Sequence, residues 1–233
     1  MLGIPNTNGG VLRNVAITSA QFEKYIGGYM YVTARELTPL PGQLQQTIAF
    51  GSELIGVMNS RFGSAMAMST EIGGNPNKVW LTGFWEDLSS YQSFLENYMA
   101  DQQMMSAISM SSSFIAEMQD QIGEVIRPPG ERKAFAQMHR GRLKSDGVVE
   151  GMELILELTN HVSELSGSDA GLVRPVTGDQ YGISFVSYAG SLQELKDMTD
   201  HWTTDEKYQE LFARSPEYFE SEFDVTYVRF LGI

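Results

Sequence analysis

The side chains in this sequence that could do chemistry are three histidines, two strand arginines, two tryptophans and a lopsided set of methionines. His139, His161 and His201 titrate near neutral pH and are natural acid–base groups and metal or haem ligands. None has a partner at HExxH spacing, so metal-ligand spacing is absent. His161 lies between Thr159 and Ser163 and reads as a solvated helix flank. His139 alternates with Phe135 and Gln137 along a predicted strand, with Arg140 pointing to the opposite face. His201 sits beside Trp202 on a predicted helix. Arg35 and Arg140 both fall on predicted strands, where a cavity-facing guanidinium can pair a carboxylate or hold an oxyanion. Trp80 and Trp85 are an odd number of residues apart on one strand and should face opposite sides. Ten of the 13 methionines precede position 119, Met66 and Met68 among them. Such a wall fills a core readily and also adapts to irregular apolar ligands.

Other chemistries are excluded by composition and motif. With no cysteine among 233 residues there is no disulfide, thiolate metal site or Cys nucleophile. A formal net charge of -13 argues against nucleic-acid and polybasic membrane-surface partners. No apolar run reaches the roughly 20 residues that span a bilayer, and MLGIPNTNGG has neither a basic nor a long apolar leader. No phosphate loop, dinucleotide-binding GxGxxG or nucleophile elbow occurs. The expectation is a soluble, cytoplasmic, acidic protein whose partner is a small apolar or aromatic molecule, with homo-oligomers formed through module surfaces or the N-terminal arm.

Periodicity supplies the elements that would position these residues. Residues 28–128 read strand (29–36), helix (42–59), strand (64–71), strand (78–85), helix (88–110) and strand (121–126). Residues 129–233 repeat that order at 134–142, 148–165, 170–177, 180–188, 192–213 and 224–231. Each half is β-α-β-β-α-β, the ferredoxin-like order, and Pro128, Pro129 and Gly130 suit the joint between them. An offset of 105 pairs Arg35 with Arg140, Ala65 with Ala170 and Gly73 with Gly178. An offset of 104 then pairs Leu88 with Leu192, Asp101 with Asp205, Ser111 with Ser215 and Asp120 with Asp224. The first-helix stripe Leu44, Ile48, Gly51, Leu54, Met58 meets Val148, Met152, Ile155, Leu158, Val162 at 104, one residue away from the strand register. The fold class is therefore α+β: two tandem ferredoxin-like modules whose antiparallel sheets pack on each other, with helices outside. Residues 1–27 form an arm in which GVLRNVAITSA suits an extra strand and Ser19 a helix cap.

The pattern resembles the dimeric α/β-barrel superfamily, in particular its antibiotic-biosynthesis-monooxygenase type. The resemblance rests on FWEDLSSYQSFLENYMADQQMMSAI in the first half and SYAGSLQELKDMTDHWTTDEKYQELFA in the second. In each, a strand end leads into an amphipathic helix, a turn with an acidic residue and a second helical stretch. Residues 201–208, HWTTDEKY, look like the family's H-x-x-[ST]-x-x-[FY] segment with one residue inserted. The resemblance implies a pseudo-dimeric barrel on one chain. It also implies a menu: cofactor-independent oxidation of anthrone-type polyketides, polyketide cyclisation, haem binding, or ligand binding without chemistry. It assigns Trp85 and Tyr91 to the substrate cavity, a pair that Ala189 and Leu195 do not reproduce in the second half.

The function expected from this resemblance is a cofactor-independent oxygenase or cyclase of secondary metabolism, acting on an aromatic polyketide-like molecule. His201 or His139 would be the base and Arg35 or Arg140 the anion partner. Trp85, Tyr91, Trp80, Met66 and Met68 would line the substrate site. No cofactor is needed on that reading, haem being the alternative with His201 as first-choice ligand. A non-catalytic small-molecule-binding or protein-interaction module is the third reading.

Overall fold

The computed structural model describes residues 30–220 and 224–232, so the expected arm at 1–27 lies outside the described residues. The first half runs β1 (Met30–Pro39), α1 (Leu44–Phe62), β2 (Ala67–Glu71), β3 (Val79–Trp85), α2 (Leu88–Ala100), α3 (Gln102–Ser111) and β4 (Ile115–Arg127). The second runs β5 (Phe135–Arg142), α4 (Val148–Ser166), β6 (Gly171–Pro175), β7 (Gly182–Ala189), α5 (Leu192–Thr204), α6 (Glu206–Ala213), α7 (Ser215–Tyr218) and β8 (Asp224–Leu231).

Each expected long second helix is in fact two helices. Asp101 and Asp205 leave the helical region, with ψ near 108° and 131°, and their carboxylates accept from the backbone N–H of Met104 and Tyr208. An aspartate in that conformation caps the next helix while ending the previous one. Gly63 and Gly167 close α1 and α4 with φ of 68° and 62°, a left-handed conformation that favours glycine.

All eight strands pair antiparallel in the closed order β1-β3-β2-β8-β5-β7-β6-β4. Each half contributes four neighbours, and β2 with β8 and β4 with β6 make the two joints. The inner faces thus meet in the middle of the barrel, as expected for two sheets packed on each other. Ala136, Tyr188 and Val228 are buried there, with Met138, Val186 and Phe230 packed on them. Burial pushes the Tyr188 hydroxyl up to about 12, as a dry interior requires. The helices cover the outside through two apolar layers. One holds Leu37, Met58, Leu81, Trp85, Phe94 and Tyr98; the other holds Ile155, Val162, Leu172, Phe185 and Trp202.

Strand register corrects the expected equivalence of Arg35 and Arg140. Arg35 lies opposite Leu81 and Asp120, and His139 lies opposite Phe185 and Val225. Leu81 and Phe185 both face the helices, so the residue equivalent to Arg35 is His139, 104 positions on. Arg140 points inward. A one-residue slip exchanges the two faces of a strand, which is why an offset of 105 misassigned it. The 104 offset holds from β1 through the second helix pair. Asn59 Oδ1 accepts from the Met66 N–H, and Ser163 Oγ accepts from the Ala170 N–H. The extra residue of the second half enters only after Tyr218, so Asp120 corresponds to Val225 rather than Asp224.

Candidate functional site

β1 and β3 carry alternating residues to the outer face of the first sheet, and α2 lies across them. Thr33 and Arg35 come from β1, Leu81 and Trp85 from β3, and Asp120 from β4. The α2 stripe adds Tyr91, Phe94, Leu95 and Tyr98. Between sheet and helix lies a cavity of about 30 Å³, lined by these residues except Trp85 and completed by Ala34, Met58, Met66 and Gln121. That is room for about one water.

One wall is ionic. The Arg35 guanidinium holds Asp120 in a bidentate pair, Nε to Oδ1 at 2.6 Å and Nη2 to Oδ2 at 2.7 Å. Its Nη1 donates to the Tyr98 hydroxyl at 3.1 Å. The hydrogen bond to Asp120 raises the Arg35 pKa further above its ordinary value. Because Tyr98 accepts from Arg35, its own hydroxyl proton is free to be donated elsewhere.

The other wall is aromatic. Trp85 is buried with Nε1 donating to Thr33 Oγ1 at 2.8 Å. Its ring lies 5.2 Å from Tyr91 and 4.7 Å from Phe94, and Phe94 stacks on Tyr98 at 5.8 Å. Trp85 therefore supports the cavity from behind Tyr91 and Phe94 instead of lining it. Burial, then the negative charge of Asp120, pushes the Tyr91 hydroxyl above its ordinary pKa, so it stays a neutral donor.

Of the residues singled out in the sequence, the cavity brings together Arg35, Tyr91 and Met66, with Trp85 one layer back. The other candidates lie elsewhere. Met68 packs beneath α1, where a Cβ on Gly51 would lie 2.8 Å from its Sδ. Trp80 faces the barrel interior, donating to Glu71 Oε1 at 3.2 Å, with the Arg140 guanidinium 5.7 Å above its ring. His201 is exposed on α5. His139 lies on the outer face of the second sheet, edge-on to Phe185 at 5.5 Å. His161 hydrogen-bonds Asp205 at 2.6 Å, at the α5–α6 break. Among the ionisable groups of the cavity, Tyr98 and Asp120 are the ones that sequence reasoning missed. The signal for Tyr98 was present, since Leu88, Tyr91, Leu95 and Tyr98 recur at the 3-4-3 spacing of one helix face. Asp120 lies in a polar stretch where β4 was expected to begin later.

No protein-family model and no curated protein matches the sequence. Solved structures do match its shape. A proposed monooxygenase from Lactobacillus acidophilus superimposes with a TM-score of 0.66 at 6% identity, covering 87% of this chain and 94% of that one. An anthrone oxidase-like protein gives 0.61 at 11% identity over 87% and 91%. A chlorite dismutase variant from Candidatus Nitrospira defluvii gives 0.54 at 10% identity over 89% and 94%. Among the described residues no helix is long and apolar enough to cross a membrane, and no group of three or more His, Asp or Glu side chains is placed to hold a metal. At such identities the likeness is one of architecture: the chain has the dimeric α/β-barrel fold, with both ferredoxin-like halves of the barrel on one polypeptide.

Proposed function

We propose that the protein is a cofactor-independent oxygenase or cyclase for an aromatic, polyketide-like small molecule of secondary metabolism, and that the first module is its working half. One observation carries this reading: the Arg35–Asp120–Tyr98 arrangement opens on a cavity whose opposite wall is aromatic. A flat phenolic substrate would lie against Tyr91 and Phe94, with its oxygen toward Arg35. Asp120, the carboxylate on the cavity wall, would receive the phenolic proton. Arg35 and the Tyr98 hydroxyl would then hold the phenolate oxygen, as a preorganised oxyanion site does. The ring carbon made electron-rich by that ionisation would attack dioxygen or close a ring. Oxidation of an anthrone methylene to a carbonyl consumes one dioxygen and releases one water.

The histidines expected to act as base do not border the cavity, so the proton acceptor moves to Asp120 in this proposal. Drug-sized ligands fill pockets of roughly 300–1,000 Å³, far more than the cavity offers as it stands. Substrate entry would therefore displace the flexible Met58 and Met66 side chains and lift Leu95 of α2. Haem does not fit this cavity, because no histidine lines it and an axial ligand is lacking.

The test is incubation of the full chain with a phenolic anthrone in air, following oxygen uptake and quinone formation. Turnover above the uncatalysed rate that falls 100-fold or more in Arg35→Leu supports the proposal. No uptake together with no anthrone binding overturns it.

A further inference from the structure

The second module holds a cluster that the first does not prepare one to find. Among the described residues, four buried side-chain polar atoms lack a hydrogen-bond partner: Gln137 Nε2, His139 Nε2, Ser187 Oγ and Trp202 Nε1. All four belong to one place. Gln137 and Ser187 are directly opposed on β5 and β7, and His139 is two residues along the same face. Trp202 comes down from α5 and meets Phe185 edge-on at 5.9 Å, and Phe185 in turn meets His139. Gln137, Ser187 and Trp202 are each no more than 2% exposed.

At the 104 offset these residues stand where Thr33, Arg35, Gly83 and Tyr98 stand in the first module. In the first module, Thr33 accepts from Trp85, and Arg35 bonds both Asp120 and Tyr98. In the second, Ala189 replaces the tryptophan and Val225 the aspartate; Gln137 Oε1 accepts from the Thr199 hydroxyl at 3.0 Å, but Gln137 Nε2 and His139 Nε2 on β5 keep no partner. Buried polar groups of folded proteins are as a rule paired, and a convergent unpaired set marks a place where something else supplies the partner.

We propose that the sheet–helix layer of the second module is a second ligand site, built for a small neutral aromatic molecule that carries a hydroxyl group. The donor and acceptor inventory selects that class. The Trp202 indole N–H and the Gln137 amide N–H can only donate, so the ligand must offer an acceptor oxygen. The His139 imidazole is held neutral by burial, its pKa lowered to about 4. With Nδ1 carrying the proton, Nε2 accepts, and the ligand must also offer a proton. A hydroxyl does both. Phe185 and Trp202 supply flat apolar faces for the ring that carries it. An ionised ligand is disfavoured, because the neutral imidazole and the amide bring no countercharge.

Titrating the 15N-labelled full chain with phenol, and separately with toluene, tests the site. The readout is the indole N–H resonance of Trp202, assigned by its loss in Trp202→Phe. Expected is a saturable phenol shift at Trp202, at least tenfold weaker with toluene. Ser187→Ala should weaken phenol binding tenfold or more without lowering the melting temperature, and Gln137→Leu should weaken it likewise while also removing the Thr199 hydrogen bond. An unmoved Trp202 resonance, contact with water only, equal shifts by toluene, or unchanged affinity in Ser187→Ala each overturns the proposal. Shifts at Trp85 with Trp202 unmoved also overturn it while leaving the reading of the first module standing.

Discussion

Arg35 and His139 occupy one and the same position of their respective modules, and only one of them is satisfied. Arg35 makes three side-chain hydrogen bonds, to Asp120 and Tyr98. His139 leaves Nε2 buried and without a partner among the described residues. The two halves share a backbone plan and differ in the polarity laid on it.

The Arg35 pair should be worth more to activity than to folding. Asp120 is half-exposed, so solvent screens the pair. Asp120→Asn is expected to cost about 1 kcal/mol in a denaturant melt. Anthrone turnover in the same variant should drop by about 100-fold, the scale seen when one charge-stabilising group is removed. Equal turnover by wild type and Asp120→Asn would remove Asp120 from the reaction.

Trp85 is a support, and its loss should be felt as stability. Trp85→Ala deletes a buried ring touching Tyr91 and Phe94, at an expected cost of about 3–5 kcal/mol. Thr33→Val keeps the ring but strands its indole N–H, at about 1–3 kcal/mol. Thermal melts of the two variants check the order; a Thr33→Val protein as stable as wild type would mean the hydrogen bond contributes nothing.

Acid stability should carry the mark of His139. Its pKa is about 4 in the fold and near the ordinary 6.5 when unfolded. Between those values the unfolded chain binds more protons, so stability rises with pH there and is lost as pH falls from 6.5 to 4. The full effect is about 3 kcal/mol. Urea melts across that window should show a shallower pH slope for His139→Gln than for wild type. Parallel slopes would mean the imidazole is not buried neutral.

The helix breaks should respond alike in the two halves. Asp101→Ala and Asp205→Ala each remove an N-cap, at about 1 kcal/mol apiece. Each aspartate also holds a side chain of the preceding long helix, Arg61 on Asp101 and His161 on Asp205; His161 is the more buried of the two, so Asp205→Ala should cost more. Calorimetry of both single variants decides the order.

Haem added to the purified protein should leave the spectrum of free haem. A Soret band that vanishes in His139→Gln would instead assign the second module to haem.

Much of the architecture could be read from periodicity. The apolar stripes of α1 and α4 and most elements of both halves lie within a few residues of their expected places; β4 starts well before its expected position and each second helix is broken in two. The site was harder to read, because strand faces depend on parity. Arg35 and Arg140 look equivalent when glycines and alanines are aligned at 105, yet the helix stripe already asked for 104. Asp120 was hidden for another reason. Gln119–Gln121 is polar and exposed, and its strand conformation comes from pairing with β1 rather than from its own side chains. Nor can a sequence show that Gln137 Nε2, Ser187 Oγ and Trp202 Nε1 lack partners; that depends on what Ala189 and Val225 fail to provide across the layer.

The barrel joints, β2 with β8 and β4 with β6, lie within one polypeptide. Closure of the described barrel is thus a unimolecular event, indifferent to dilution. A symmetric pair of identical subunits must accept every substitution twice, at both sites together. Here each half is encoded separately, so one can carry an arginine at a position where the other carries a histidine.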